Sequence, residues 1–184
     1  MKPRRMGILR TVMLLGCAAF VSLAFGAMAT VGPVTVILPA GFSPAGSQTQ
    51  GNMQVAAWTK GEGAAKTLLQ ISIYDFGSAA QGAPSEKELA EGAEKYLGDF
   101  LKGIERHRTD YSQSPIERVK LAGLPAARST WKGQAGGIAA VGVMYCVIVN
   151  QRIVVSLHTQ DAGSAPTPAM REAMKAIESV RVAP

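Results

Sequence analysis

The chain has 184 residues, with 19 Lys and Arg residues against 13 Asp and Glu residues, a formal net charge of +6 and a pI near 9.6. Four of the basic residues lie within the first ten positions: Lys2, Arg4, Arg5 and Arg10. The rest of the chain carries 15 basic and 13 acidic residues, a net charge of only +2. This near balance excludes nucleic-acid binding that depends on a concentrated basic surface.

Residues 1–29 have the three parts of a cleavable secretory signal peptide. The charged start is followed by an apolar run over residues 11–25, and the small side chains of Ala27 and Ala29 suit a signal peptidase. We expect cleavage after Ala29, a mature protein that starts near Thr30, and a periplasmic or secreted location. A retained membrane anchor is the alternative, because the apolar run approaches the length that spans a bilayer.

Two other export signals fit the N-terminal residues less well. Cys17 follows a glycine as in a lipoprotein box, but Leu15 is atypical there and the apolar run continues past the cysteine. Arg4 and Arg5 fit a twin-arginine signal, yet Gly7 stands where that signal prefers a bulky apolar residue. The general secretory route is favoured, and a lipoprotein acylated at Cys17 is the minor alternative.

Residues 30–184 are expected to form a single domain. A chain of this size buries about 68 to 70% of its unfolded surface, which is enough for a core without crosslinks. Cys146 is the only cysteine left after signal removal, so no intramolecular disulfide can form. Its apolar neighbours predict a buried, inert thiol.

The first half of the mature chain predicts three strands. Residues 34–38 form a short strand stopped by Pro39, and the small polar residues 43–51 predict a loop. Two β-type runs follow at 52–59 and 67–76, and the connection between them predicts a hairpin.

The next segment predicts a helix of some twenty residues. Ser85 and Glu88 form a capping box at its start. Basic residues at its end, Arg106, His107 and Arg108 among them, complement the helix dipole. A local anion-binding patch of these three residues is the less favoured alternative. One apolar stripe recurs at helical spacing: Leu89, Ala93, Tyr96, Leu97, Phe100, Leu101 and Ile104.

The second half predicts four more strands and a last helix. The strands are 116–121, 126–132, 138–149 and 153–159, with a tight turn at Asn150 and Gln151. The run 138–149 is apolar at both odd and even positions, which predicts a central strand covered on both faces. Thr167 as N-cap and Pro168 at the first helical position begin the last helix.

This order of elements predicts an α+β domain. Short links between the later strands favour antiparallel pairing. We expect a mainly antiparallel sheet of about six to seven strands covered by two helices, in an α/β/α layered arrangement.

The sequence resembles the PsbP/Mog superfamily, and within it the exported bacterial proteins of the DcrB and LpqT type. The resemblance spans most of residues 31–182 and rests on four segments: 38–42, 121–126 leading into Trp131, 152–158, and the helix within 170–182. It implies a domain that binds other proteins and is not an enzyme. It supplies no catalytic residues.

Two segments mimic catalytic or phosphate-binding motifs. Residues 61–66 resemble a phosphate-binding glycine loop but lack its Gly-Lys-Ser/Thr ending and join two strands. Ser156, His158 and Asp161 are the residue types of a hydrolase triad, and Ser156 and His158 point to one strand face. No nucleophile-elbow glycines surround Ser156, so a polar strand face is the favoured interpretation.

No cofactor or metal site is indicated. Only His107 and His158 are available as imidazole ligands, and with Cys146 buried they do not make a usual zinc site. Amphipathic aromatic side chains often line binding sites. We take four residues as candidate pocket or surface residues: Trp58, Trp131, Tyr145 and His158.

Three functional hypotheses follow. The preferred one is an exported, non-enzymatic domain that binds an unknown protein of the cell envelope, with no nucleic-acid partner and no membrane span after cleavage. The second is a small-ligand or lipid binder with a cavity between sheet and helix. The third is a weak hydrolase that uses Ser156 and His158.

Overall fold

The computed structural model describes residues 26–77 and 84–183. Most of the predicted signal peptide, Cys17 included, lies outside these residues. In chain order the elements are β1 (Met28–Val31), β2 (Val34–Ile37), β3 (Ser43–Gln50), β4 (Met53–Lys60), a 3₁₀ turn (Gly63–Ala65), β5 (Thr67–Asp75), α1 (Glu86–Glu105), β6 (Thr109–Gln113), β7 (Glu117–Leu121), β8 (Leu124–Ala135), β9 (Ile138–Val149), β10 (Ile153–Ala162), α2 (Pro168–Glu178) and β11 (Arg181–Val182).

The main sheet is antiparallel and has eight strands in the order β3-β4-β5-β10-β9-β8-β6, with β7 also paired to β8. A second sheet of three short strands has the order β1-β2-β11. The predicted antiparallel sheet is confirmed, but six to seven strands was too few. The central position of β9 is confirmed, because β10 and β8 flank it on both sides.

Tight turns set the register of the second half of the sheet. Asn150 and Gln151 join β9 to β10 with φ of 49° and 61°, which is the type I′ geometry that matches strand twist. Ala122 and Gly123 repeat this pattern between β7 and β8. These short links explain why consecutive strands pair with each other.

The two helices cover opposite faces of the main sheet. Alternate residues of β9 divide between two cores: Val143 and Tyr145 pack on the face of α2, whereas Met144 and Cys146 pack on the face of α1. Both predicted helix starts are confirmed, since Ser85 and Glu88 form the capping box and the Thr167 side chain accepts from the amide of Met170. The three-stranded sheet packs on the face of α2.

Segment 43–51, predicted as a loop, is largely strand β3. Its residues have low β-propensity and no apolar alternation, but a two-residue loop at Gly51 and Asn52 returns the chain alongside β4. Hydrogen bonding to an existing strand therefore overrides local propensity. Strands β1, β6 and β11 were also not predicted.

Within residues 26–77 and 84–183, no helix is long and apolar enough to cross a membrane.

Candidate functional site

The four candidate residues divide between the two faces of the sheet. Trp131 and His158 meet on the face of α1, with ring centroids 5.7 Å apart. Trp58 and Tyr145 lie in the core on the face of α2. They are on β4 and β9, with β5 and β10 between them. The four residues therefore do not form one pocket.

Tyr145 has a structural role. Its hydroxyl donates to Glu178 of α2 at 2.8 Å and accepts from Arg128 of β8 at 3.1 Å. Burial, together with the Glu178 carboxylate, raises the pKa of Tyr145 to about 12. The side chain thus joins a strand pair to the last helix as a neutral phenol. Trp58 is 8% exposed and packs within the same core.

Trp131 lies flat across the sheet because its cross-strand neighbour is a glycine. In the β8–β9 register Trp131 faces Gly142. A Cβ atom added at Gly142 would lie 2.3 Å from the indole carbon Cε2. A glycine within a strand often marks such a close approach. Gly142 thereby lets the indole reach His158 on β10.

The guanidinium of Arg108 lies over the indole of Trp131. Its guanidinium carbon is 5.5 Å from the centroid of the Trp131 ring, within cation–π range. Its Nη1 donates to the carbonyl of His107 at 2.9 Å. Its Nε is buried and has no hydrogen-bond partner among the described residues. The sequence pattern assigned Arg108 to the helix dipole, whereas the structure places it in this stack.

His158 is a buried neutral imidazole. Its Nε2 accepts a hydrogen bond from Trp131 Nε1 at 3.3 Å, a role that only the unprotonated nitrogen can fill. Burial, and secondarily the positive charge of Arg108, lower the pKa of His158 to about 4. We name Arg108, Trp131 and His158 the Trp131 cluster.

The Trp131 cluster predicts a pH-dependent stability. The unfolded chain protonates His158 near its ordinary pKa of about 6.5, so the unfolded state binds more protons than the folded state between that value and about 4. Stability is therefore fully present above about pH 6.5 and falls as the pH is lowered. When the pH is lowered from 7.5 to 5.0, we expect the free energy of unfolding measured with urea to fall by about 2 kcal/mol in the wild type. This loss should be missing in His158→Gln.

The control for this measurement is the second histidine. His107 has an exposed side chain, so His107→Gln should keep the pH dependence of the wild type. An identical pH dependence in wild type and His158→Gln would contradict a buried, neutral His158.

The hydrolase triad does not form. Asp161 lies on the opposite face from His158, where its carboxylate accepts from the Thr67 hydroxyl and from the Thr167 amide. The Nε2 lone pair of His158 is engaged by Trp131. Ser156 is buried, with 5% of its surface exposed. These residues are structural.

A groove of about 490 Å³ lies beside the Trp131 cluster, on the same sheet face and beyond the end of α1. Small and apolar side chains form most of its wall, including Ala57, Leu68 and Ala140, and Ile138 stands exposed at its rim. Arg108 and Lys66 supply positive charge. Neither residue is among the four candidates predicted from the sequence, although Lys66 ends the segment that resembles a phosphate loop and Arg108 belongs to the possible anion patch.

Strand β3 forms one edge of the main sheet. All eight of its residues are exposed and none is charged. Among the residues that the structure describes it pairs with β4 alone, along its inner side. Its outer main-chain groups are therefore available to another strand.

Metal binding has little support in this part of the chain. Within the described ranges no group of three or more His, Cys, Asp or Glu residues could hold an ion. Burial raises the pKa of the Cys146 thiol to about 12, which makes the thiolate inaccessible at neutral pH.

No protein-family model matches this chain, and neither does any curated protein sequence. A point mutant of Mog1 is similar in structure, with a TM-score of 0.55 and 10% identity over 85% of this chain and 95% of that chain. The Ran-binding protein Mog1p of Saccharomyces cerevisiae has a TM-score of 0.52 and 10% identity over 82% and 90%. LpqN of Mycobacterium tuberculosis, described as involved in cell envelope biogenesis, has a TM-score of 0.48 and 12% identity over 86% of each chain. The chain therefore has a Mog1-like fold.

Proposed function

We propose that this protein is an exported, non-enzymatic domain that binds a partner protein of the cell envelope by accepting an extended segment of that partner along β3. The observation that carries the proposal is the uncovered edge of the eight-stranded sheet. The mode of binding is β-augmentation, in which main-chain hydrogen bonds provide affinity without an apolar interface.

The register of β3 identifies the main-chain groups that face outward. Gln50 and Met53 close the two-residue loop of the β3–β4 hairpin, and a closing pair of this kind exchanges both of its hydrogen bonds. Hydrogen-bonded and non-hydrogen-bonded residue pairs then alternate along the strand. Gln50 and Gln48 thus direct their amides to β4, and Thr49 and Ser47 direct theirs away from the sheet.

Natural proteins usually protect an edge strand from pairing with other chains. Lysine side chains, proline or a bulge are the common devices. In β3 the proline and the irregular register are confined to its start, at Pro44 to Gly46. The stretch from Ser47 to Gln50 has no charge and no proline, so it can accept a partner strand.

Two further observations support the class of function. A structure with a similar fold is named as a Ran-binding protein, so this fold can serve protein recognition. The signal peptide predicted at residues 1–29 supports a partner in the cell envelope.

The test selects dodecapeptides from a random display library against the purified protein and measures their dissociation constants by fluorescence anisotropy. Thr49→Pro removes an outward amide while it leaves the pairing with β4, so selected peptides should bind at least about tenfold more weakly. Thr49→Ala is the matched control. It changes the same side chain but keeps the amide, and affinity should stay within about twofold.

Hydrogen exchange completes the experiment. Bound peptide should slow exchange at the amides of Ser47 and Thr49 and leave the opposite edge at β6 unchanged. Peptides that bind Thr49→Pro as well as wild type, or a selection that yields no binder, would refute docking at β3.

A further inference from the structure

The groove beside the Trp131 cluster has the dimensions of a small-molecule site. Its volume of about 490 Å³ falls within the range of ligand pockets. It is built from the ends of β4, β5 and β10, from the β8–β9 hairpin and from Arg108, and Ala45 at the start of β3 lies at its border. Most of its wall therefore belongs to paired strands of the main sheet.

The charge of the groove is positive and unbalanced. No carboxylate pairs with Arg108 or Lys66 in the described part of the chain. Asp161 also borders the groove, but its carboxylate lies on the opposite face of the sheet, where both oxygens accept internal hydrogen bonds. His158 beneath Arg108 is neutral and adds no charge. Arg108 Nη1 donates to the carbonyl of His107, so an anion placed here would meet two cations that have no competing carboxylate.

The position of Arg108 is fixed before any ligand arrives. Its guanidinium rests on the indole of Trp131, and Gly133 provides space for its stem, because a Cβ atom at Gly133 would lie 3.1 Å from the Cβ of Arg108. A planar guanidinium held in this way is suited to a carboxylate or phosphate oxygen pair.

We propose that this groove binds an amphiphile with a single anionic head and an unbranched apolar tail. The head contacts Arg108 and Lys66, and the tail covers Ala57, Leu68 and Ala140 up to Ile138. An inorganic anion would leave the apolar wall uncovered, and a neutral lipid would leave the two cations unpaired. The proposal is independent of partner binding at β3.

The test is calorimetric titration of the purified full chain with sodium alkanoates of six to ten carbons, each below its micelle concentration. Each added methylene should lower the dissociation constant about fourfold until the groove is filled. Octanol and octyltrimethylammonium should bind at least about tenfold more weakly than octanoate, because they lack the negative charge.

Matched variants test the place of binding. Arg108→Gln should lower the affinity for octanoate at least about tenfold. Arg106→Gln removes the same charge from an exposed position two residues earlier, and it should change this affinity less than about twofold. Lys66→Gln is a second groove variant on an exposed loop, and it should lower the affinity for octanoate about threefold or more. Ala57→Phe should abolish the chain-length dependence, because the ring fills the groove.

The results distinguish this proposal from the first one. Thr49→Pro should bind octanoate like wild type, so failure at β3 leaves the groove untouched. Equal binding of octanoate and octyltrimethylammonium, no binding of decanoate at about 1 mM, or unchanged affinity in both Arg108→Gln and Lys66→Gln would overturn the groove proposal.

Discussion

Replacing Gly142 by alanine is expected to lower the free energy of unfolding by about 3 kcal/mol. An added Cβ atom would lie 2.3 to 2.5 Å from three atoms of the Trp131 indole. The indole cannot simply swing away, because Arg108 covers it and its Nε1 donates to His158. Urea unfolding followed by circular dichroism measures the loss.

A double-mutant cycle shows whether the indole is the cause. In a Trp131→Leu background, Gly142→Ala should lower stability by less than about 1 kcal/mol, because the smaller side chain leaves room for the methyl group. Gly103→Ala in α1 is the control, since a Cβ atom there meets nothing within 4 Å. It should raise stability by up to about 1 kcal/mol. Additive effects of Gly142→Ala and Trp131→Leu would contradict the contact.

Replacing Asp161 by alanine should have an effect of similar size, a loss of about 3 kcal/mol. The substitution leaves the fully buried Thr67 hydroxyl with only the longer contact to the Thr167 hydroxyl, at 3.4 Å. It also removes the carboxylate that accepts from the amide of Thr167, the N-cap of α2. The loss should appear as a lower urea midpoint with an unchanged slope.

Two variants control this result. Asp161→Asn keeps one carbonyl acceptor and should be destabilised less than Asp161→Ala. Asp99→Ala removes an exposed carboxylate that pairs with Lys102 and should change stability by less than about 0.5 kcal/mol. A loss below about 1 kcal/mol in Asp161→Ala would show that the two hydrogen bonds contribute little.

Elements with a strong hydrophobic period were predictable. Helix α1 combines a capping box with an apolar stripe, and β9 is apolar on both sides, so local sequence and tertiary position agree. Strand β3 was not predictable from its own residues. Its polar sequence carries no alternation, and it exists because β4 offers a hydrogen-bonding edge.

The candidate site was predicted in part. Trp131 and His158 were selected as amphipathic side chains, and the structure brings them together. The contact between Arg108 and Trp131 was not predicted, because it depends on β6 pairing with β8, which no local pattern encodes. Gly133 and Gly142 were the available signal, since glycines inside strands indicate a close approach of other groups.

The position of β1 bears on the cleavage expected from the sequence. The bond after Ala29 lies inside β1, and Met28 and Ala29 pair with Ile37 and Val36 of β2. A peptidase needs an extended and unpaired substrate, so a cut at this bond would have to come before the three-stranded sheet assembles. Removal after Ala29 would leave Thr30 and the buried Val31 as the whole of that strand. Processing at Ala29 would therefore compete with folding for the same few residues.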